Sequence, residues 1–142
     1  MNVSEIMTGK VITVGQDEPV MAAVRLLKRH NVGALPVTDQ AGRLRGLVTD
    51  RDIVLRCVAA GDDARTLPVR EIMSRGILTA QPGDTVEQAA ESMAREQIRR
   101  LPVTENDRVV GMVSLCDLAR QVACRDEYNK AAESISACFR VR

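Results

Sequence analysis

The stretch "VTDRDIV", residues 48–54, sets a hydroxyl, two carboxylates and a guanidinium side by side in Thr49, Asp50, Arg51 and Asp52, directly after an apolar run. Three kinds of chemistry use such groups. Paired carboxylates can act as general acid and base, two acids in a loop can ligate magnesium or calcium, and a hydroxyl three residues ahead of an acid can cap a helix start. General acid–base work needs a partner group, and the chain offers few: His30 is its single histidine, and it has no Gly-x-Ser-x-Gly or Cys/His arrangement. On a helix, Asp50 and Asp52 would also point to different faces. No metal site is expected, because the four cysteines (Cys57, Cys116, Cys124 and Cys138) form no CxxC pair. They read as small hydrophobes in a reducing compartment.

The elements that must position these residues are written twice. Sliding the sequence on itself by about 66 positions lays "EIMTGKVITVGQDEPVMAAVRLLKRHNVGALPVT" over "EIMSRGILTAQPGDTVEQAAESMAREQIRRLPVT". Ile6 meets Ile72, Met7 meets Met73, Val20 meets Val86, Ala23 meets Ala89, and Leu35-Pro36-Val37-Thr38 meets Leu101-Pro102-Val103-Thr104. "DQAGRLRG" then pairs with the shorter "ENDRVVG", a loss that a surface hairpin tolerates, and Gly46, Val48 and Asp52 fall on Gly111, Val113 and Asp117.

Each copy shows the same periodicity. A short strand (Val11 to Val14; Ile77 to Ala80) precedes a helix whose apolar face is Val20, Ala23, Val24 and Leu27, or Val86, Ala89, Ala90 and Met93. A hairpin follows, and "DRDIVLRCVAA" returns to helical spacing through Ile53, Cys57 and Val58. The expected class is therefore α+β, with two βαββα repeats. At roughly 60 residues one copy is marginal as a domain, so a compact pseudo-two-fold pair is expected. The expected division is repeat 1–60, linker 61–68 ("GDDARTLP"), repeat 69–122 and tail 123–142, the tail carrying Tyr128, Ala131, Ala132, Ile135 and Phe139 on a rough helical stripe.

Composition narrows the partners. The net charge is +1 with interspersed signs, and Tyr128 and Phe139 are the only aromatics, which argues against nucleic acid as a partner. "MNVSEIMTGK" lacks a signal-peptide core and no apolar run nears the roughly 18 residues of a membrane span, so a cytoplasmic protein with no membrane partner is expected.

Comparing the copies divides the opening stretch. Leu115 and Cys116 stand where the first copy has Asp50 and Arg51, so only Thr49/Ser114 and Asp52/Asp117 are shared. The shared [Ser/Thr]-x-x-Asp is a capping-box pattern at a strand-to-helix junction. The same atoms can serve a ligand: helix-start amides and hydroxyl hold a phosphate, and the acid takes paired sugar hydroxyls. A carboxylate bridging the 2′ and 3′ hydroxyls is how dinucleotide-binding folds hold ribose.

Two copies of strand, helix, strand, strand, helix, each with "LPV", a hairpin and "G-hydrophobic-V-[ST]-x-x-D", resemble tandem cystathionine-beta-synthase (CBS) domains, the pair called a Bateman module. The likeness spans about Val3 to Arg120 and extends to small stand-alone bacterial CBS pairs. The resemblance implies clefts for adenosine-containing ligands (AMP, ADP, ATP, S-adenosylmethionine or NAD), no required cofactor, and a homodimer. Carried over residue by residue, it implies a main nucleotide site at Thr49 and Asp52, with Arg51 beside the phosphate and Val32, Gly33 and Ala34 lining the adenine pocket. Arg99 and Arg100, which stand where the first copy has Gly33 and Ala34, would reach that phosphate, with Lys10 as a further contact. Ser114, Asp117 and Ile98 would form a second site with less cationic support. The implied protein is a regulatory nucleotide sensor, not an enzyme, acting on an unknown partner. Two alternatives stand beside it: a dimeric interaction module whose [ST]-x-x-D elements only cap helices, and an accessory subunit of a nucleotide-metabolism enzyme.

Overall fold

The computed structural model describes residues 1–120 and residue 133. In chain order the elements are α1 (Val3–Ile6), β1 (Val14–Gly15), α2 (Val20–His30), β2 (Ala34–Thr38), β3 (Leu44–Thr49), α3 (Asp50–Ile53), α4 (Val86–Glu96), β4 (Arg100–Glu105), β5 (Arg108–Ser114) and α5 (Leu115–Ala119). A π-helical turn, Val54–Val58, continues α3, and Val69–Glu71 form a 3₁₀ turn. This is the α+β class expected, arranged as two compact units with one small sheet each.

Ile12–Ile77 form one unit. Its sheet runs β1-β2-β3, with β1 parallel to β2 (Val14 opposite Val37) and β2 antiparallel to β3 (Leu35 opposite Val48). Of the expected first strand, Val11 to Val14, only Val14 pairs as a strand, together with Gly15 beyond it. Helix α2 covers the sheet: Val20, Ala23 and Leu27 are buried with Leu35, Val37 and Val48, and Val24 packs against them. Ile53 and Cys57 join this core from α3 and the π turn, while Val58 is 65% exposed, since adjacent helical residues point in different directions. Burial and the nearby Asp62 and Asp63 carboxylates push the Cys57 thiol pKa up, which suits its place in the core.

The other unit joins Met1–Val11 to the described residues from Leu78 on. Here β4 and β5 are antiparallel, the counterpart of β1 is a single bridge from Ala80 to Val103, and Val86, Ala89, Ala90 and Met93 of α4 meet Leu101, Val103 and Val113. The two cores thus use matching positions of the two repeats.

The hairpins explain the missing residue. In the second copy Asn106 and Asp107 both have positive φ (53° and 63°), the geometry of a tight two-residue turn. In the first, a longer loop is organised by Asp39, whose carboxylate accepts from Ala41 N (2.9 Å), Arg43 N (3.0 Å), Arg43 Nε (3.1 Å) and Arg45 Nε (3.0 Å).

The segments that close each unit come from ahead of the other repeat. Val69 N and Arg70 N donate to Glu18 O (2.9 Å) and Gln16 O (3.0 Å), while Val3 N and Ser4 N donate to Asp84 O (2.8 Å) and Pro82 O (3.0 Å). Ser74 exchanges two backbone bonds with Leu47 (2.8 and 3.0 Å), and Thr8 does the same with Met112 (2.8 and 3.0 Å). Residues 61–68, expected as a linker, also belong to the first unit: Leu67 O and Ala64 O accept from Val20 N and Met21 N (both 2.8 Å), serving the start of α2, which has no side-chain cap. Among the described residues no helix is long and apolar enough to cross a membrane. The tail stripe from Tyr128 to Phe139 lies outside the described residues.

Two tests follow from this packing. A Cβ on Gly46 would lie 2.6 Å from Ser74 O, whereas at Gly111 the nearest backbone atom, Thr8 O, is 3.1 Å away and the tighter contact is the flexible Met7 thioether. Urea unfolding should therefore show Gly46→Ala destabilised by about 1–3 kcal/mol and Gly111→Ala by less; equal costs would contradict this ordering. Asp39 should titrate near 2, held down first by the Arg43 N–H and further by Arg45 and Ala41. Because the folded pKa lies below the unfolded one, its contribution is present above the ordinary value and lost as pH falls through about 2. A carboxyl NMR midpoint at the ordinary aspartate value would refute it.

Candidate functional site

The [Ser/Thr]-x-x-Asp elements sit where an edge of each hairpin runs into a short helix. In the first, Thr49 Oγ1 accepts from Asp52 N (3.1 Å) and Asp52 Oδ2 accepts from Thr49 N (2.9 Å), a complete capping box. In the second, Ser114 Oγ accepts from Asp117 N (3.2 Å) and Asp117 Oδ2 from Ser114 N (2.8 Å). The structural reading of the pattern is thus realised in both copies. Among the described residues one carboxylate oxygen is left over each time. Asp52 Oδ1 lies 3.8 Å from Arg56 Nε and Asp117 Oδ1 lies 3.7 Å from Arg120 Nη1, both beyond hydrogen-bond range, in side chains only 14% and 13% exposed. A half-sheltered carboxylate oxygen without a short partner is chemically suited to take hydroxyl donors.

The strand that opens each hairpin is tied to the same spot. Asp50 N donates to Gly33 O (3.1 Å), and Leu115 N donates to Arg99 O (2.8 Å). This fixes the approach to each strand beside the helix start. The approach follows a left-handed residue that ends the preceding helix, Asn31 (φ 51°) or Gln97 (φ 56°). Val32 is 44% exposed, Gly33 and Ala34 are partly buried, and Ile98 packs against the second core. Thr49, Asp52, Gly33 and Ala34 are therefore gathered in one unit, as are Ser114, Asp117 and Ile98 in the other. Arg51, Arg100 and Lys10 are exposed, and Lys10, Arg99 and Arg100 belong to the unit that holds Ser114 and Asp117.

Three further groups stand at these boxes: Asp50 of the opening stretch, and Arg56 and Arg120, which spacing did not single out. Asp50 Oδ1 accepts from its neighbour Arg51 N at 2.8 Å, so a carboxylate already sits on the amide that a phosphate would seek. Leu115 replaces it in the second copy, leaving no acid at that position. Arg56 and Arg120 face the two shared aspartates; the i,i+4 spacing of Asp52 and Arg56 was the available signal. Among the described residues no group of three or more His, Cys, Asp or Glu could hold a metal ion.

Known proteins share this design. The CBS domain family model matches residues 3–58 and 69–124. The CBS domain-containing protein YhcV of Bacillus subtilis is 42% identical over 135 residues, covering 95% of each chain. Hypoxic Response Protein I, solved with two coordinated zinc ions, superposes with a TM-score of 0.79 at 34% identity, covering 86% of this chain and 99% of that one. The CBS domain pair of protein MJ0100, solved with 5-methylthioadenosine and S-adenosyl-L-methionine, gives a TM-score of 0.75 at 31% identity, covering 84% of this chain and 94% of that one. With both repeats matched and both units folded as described, the chain belongs to the CBS domain family, as a pair of CBS domains.

Proposed function

We propose that this protein is a non-catalytic regulatory module of the cytoplasm that binds an adenosine-containing nucleotide and acts, as a homodimer, on a partner protein. One observation carries the reading: each domain spends one oxygen of a sheltered aspartate on its cap and keeps the other beside a guanidinium. A ribose diol supplies two adjacent hydroxyl donors, which suit that oxygen without disturbing the cap. The adenosine ligands of the MJ0100 pair support the same ligand class. The "VGA" stretch, with Val32 exposed and Gly33 and Ala34 partly buried, offers small apolar residues for the base.

The main nucleotide site is assigned to Thr49 and Asp52, with Arg51, Arg99, Arg100 and Lys10 as phosphate contacts on the family resemblance. Ser114, Asp117 and Ile98 form the weaker site. Phosphate binding at the first site requires Asp50 to leave the Arg51 amide, so Arg51 and the arginine pair must supply the favourable charge. Arginine suits this, since its planar fork matches phosphate oxygens. Regulation then needs a ligand whose affinity differs between two conformations of the protein.

A second reading keeps the interaction module: the caps alone account for most atoms of each box, and Val54, Leu55 and Val58 expose an apolar stripe. Thermal shift separates the two. At about 100 times its dissociation constant a ligand stabilises by roughly 2.7 kcal/mol, a rise of a few degrees. AMP, ADP, ATP, S-adenosylmethionine and NAD should include at least one such ligand, and a flat panel favours the interaction module. Asp52→Asn keeps a cap acceptor while removing the charge, and with Arg100→Ala it should weaken nucleotide affinity by about ten- to a hundredfold in calorimetry. Asp117→Asn should matter less; the opposite ranking, or an unchanged Arg100→Ala, overturns the site assignment. Light scattering should report a dimer, and a monomer refutes that part.

A further inference from the structure

Arg56 occupies a place that neither the cap nor the proposed ligand contacts require. It lies one turn beyond Asp52, is 51% exposed, and its single guanidinium faces two acceptors. Nε lies 3.8 Å from Asp52 Oδ1, and Nη1 donates to the backbone carbonyl of Ile72 at 3.1 Å. Ile72 is buried and opens the stretch that closes this unit. Met73 then packs beside Gly46, and Ser74 exchanges its two backbone bonds with Leu47. One side chain therefore joins the leftover aspartate oxygen to the closing segment, across 16 residues of sequence.

We propose that Arg56 is a positioning residue that orients Asp52 Oδ1 and couples the state of that carboxylate to the Ile72–Ser74 segment. The guanidinium divides its attraction between the carboxylate and the carbonyl. A donor taken up by Oδ1 weakens the first attraction and leaves the guanidinium to Ile72 O, tightening the closure at Leu47. In the second domain Arg120 pairs with Asp117 at i,i+3 spacing, and among the described residues no side chain reaches the corresponding carbonyl of Ile6. The position equivalent to Arg56 in the repeat is Gln121, which lies outside the described residues. The ligand that fills Oδ1 rests on the nucleotide reading; the link itself does not.

Amide hydrogen exchange of Ser74 N–H tests both parts, with Met112 N–H, bonded to Thr8 O in the other unit, as a control for global stability. Without nucleotide, Arg56→Gln should speed Ser74 exchange by about two- to fivefold relative to Met112. The double variant with Asp52→Asn should be no faster than Arg56→Gln alone, because the two side chains act as one element. Unchanged Ser74 exchange in Arg56→Gln, or additive effects of the two substitutions, overturns the proposal. Adding AMP should slow Ser74 exchange by about twofold or more in the natural protein. In Arg56→Gln, AMP should still bind within about fivefold of its original affinity but leave Ser74 unchanged. A Ser74 response that persists in Arg56→Gln overturns the coupling. If AMP binds neither protein, AMP is not the ligand, and the cycle without ligand alone decides the link.

Discussion

Each unit is closed by a backbone segment laid against a glycine: Ser74 pairs with Leu47 beside Gly46, and Thr8 pairs with Met112 beside Gly111. A side chain at Gly46 would occupy the space of the incoming Ser74 carbonyl, and one at Gly111 would press on the Met7 side chain. This closure also decides where the hydrophobic cores end. Val69, Ile72 and Met73 complete the core around α2, and Val3 completes the core around α4. Since the closing segment of one unit precedes the other repeat in sequence, neither repeat cut at its own boundaries carries a full core. The same closure holds the hairpin whose far end delivers Thr49 or Ser114 to its helix.

The site shows how one set of atoms can satisfy local structure and still leave chemistry over. The cap consumes the Thr49 hydroxyl, one oxygen of Asp52 and the amides of both residues. What remains is directional: one carboxylate oxygen, sheltered but unbonded. The two domains then diverge through their unshared residues. Asp50, Arg51 and Arg56 surround the first cap with charge, while Leu115 and Cys116 leave the second plainer. An acid on the Arg51 amide makes the first site less simply cationic than its arginines suggest.

Much of the fold was legible because core positions recur: Val20 with Val86, Leu35 with Leu101 and Val48 with Val113 report two cores of one pattern. The shortened second hairpin was legible for a similar reason, and Asn106–Asp107 explains it through two left-handed residues. The exchange of closing segments was not legible, since a segment repeated at a fixed interval gives the same pattern whichever unit it closes. The linker expectation for residues 61–68 rested on Gly, acid and Pro content, which does not reveal that Ala64 and Leu67 carbonyls serve the start of α2. The shared Thr49/Asp52 and Ser114/Asp117 pairs were readable by comparison of the copies. Arg56 was not, because the repeat offers Gln121 in its place and comparison discards what is private to one copy.

The central claim is that Asp52 Oδ1, left over by the cap, holds the ribose diol of an adenosine nucleotide. The most direct measurement is an amide NMR titration of the protein with AMP and with its 2′,3′-dideoxy analogue, which keeps base and phosphate but lacks the diol. The account predicts saturating shifts at the Thr49–Asp52 amides with AMP and an affinity roughly tenfold or more weaker for the analogue. Equal affinities for the two, or shifts confined to other parts of the protein, would contradict it.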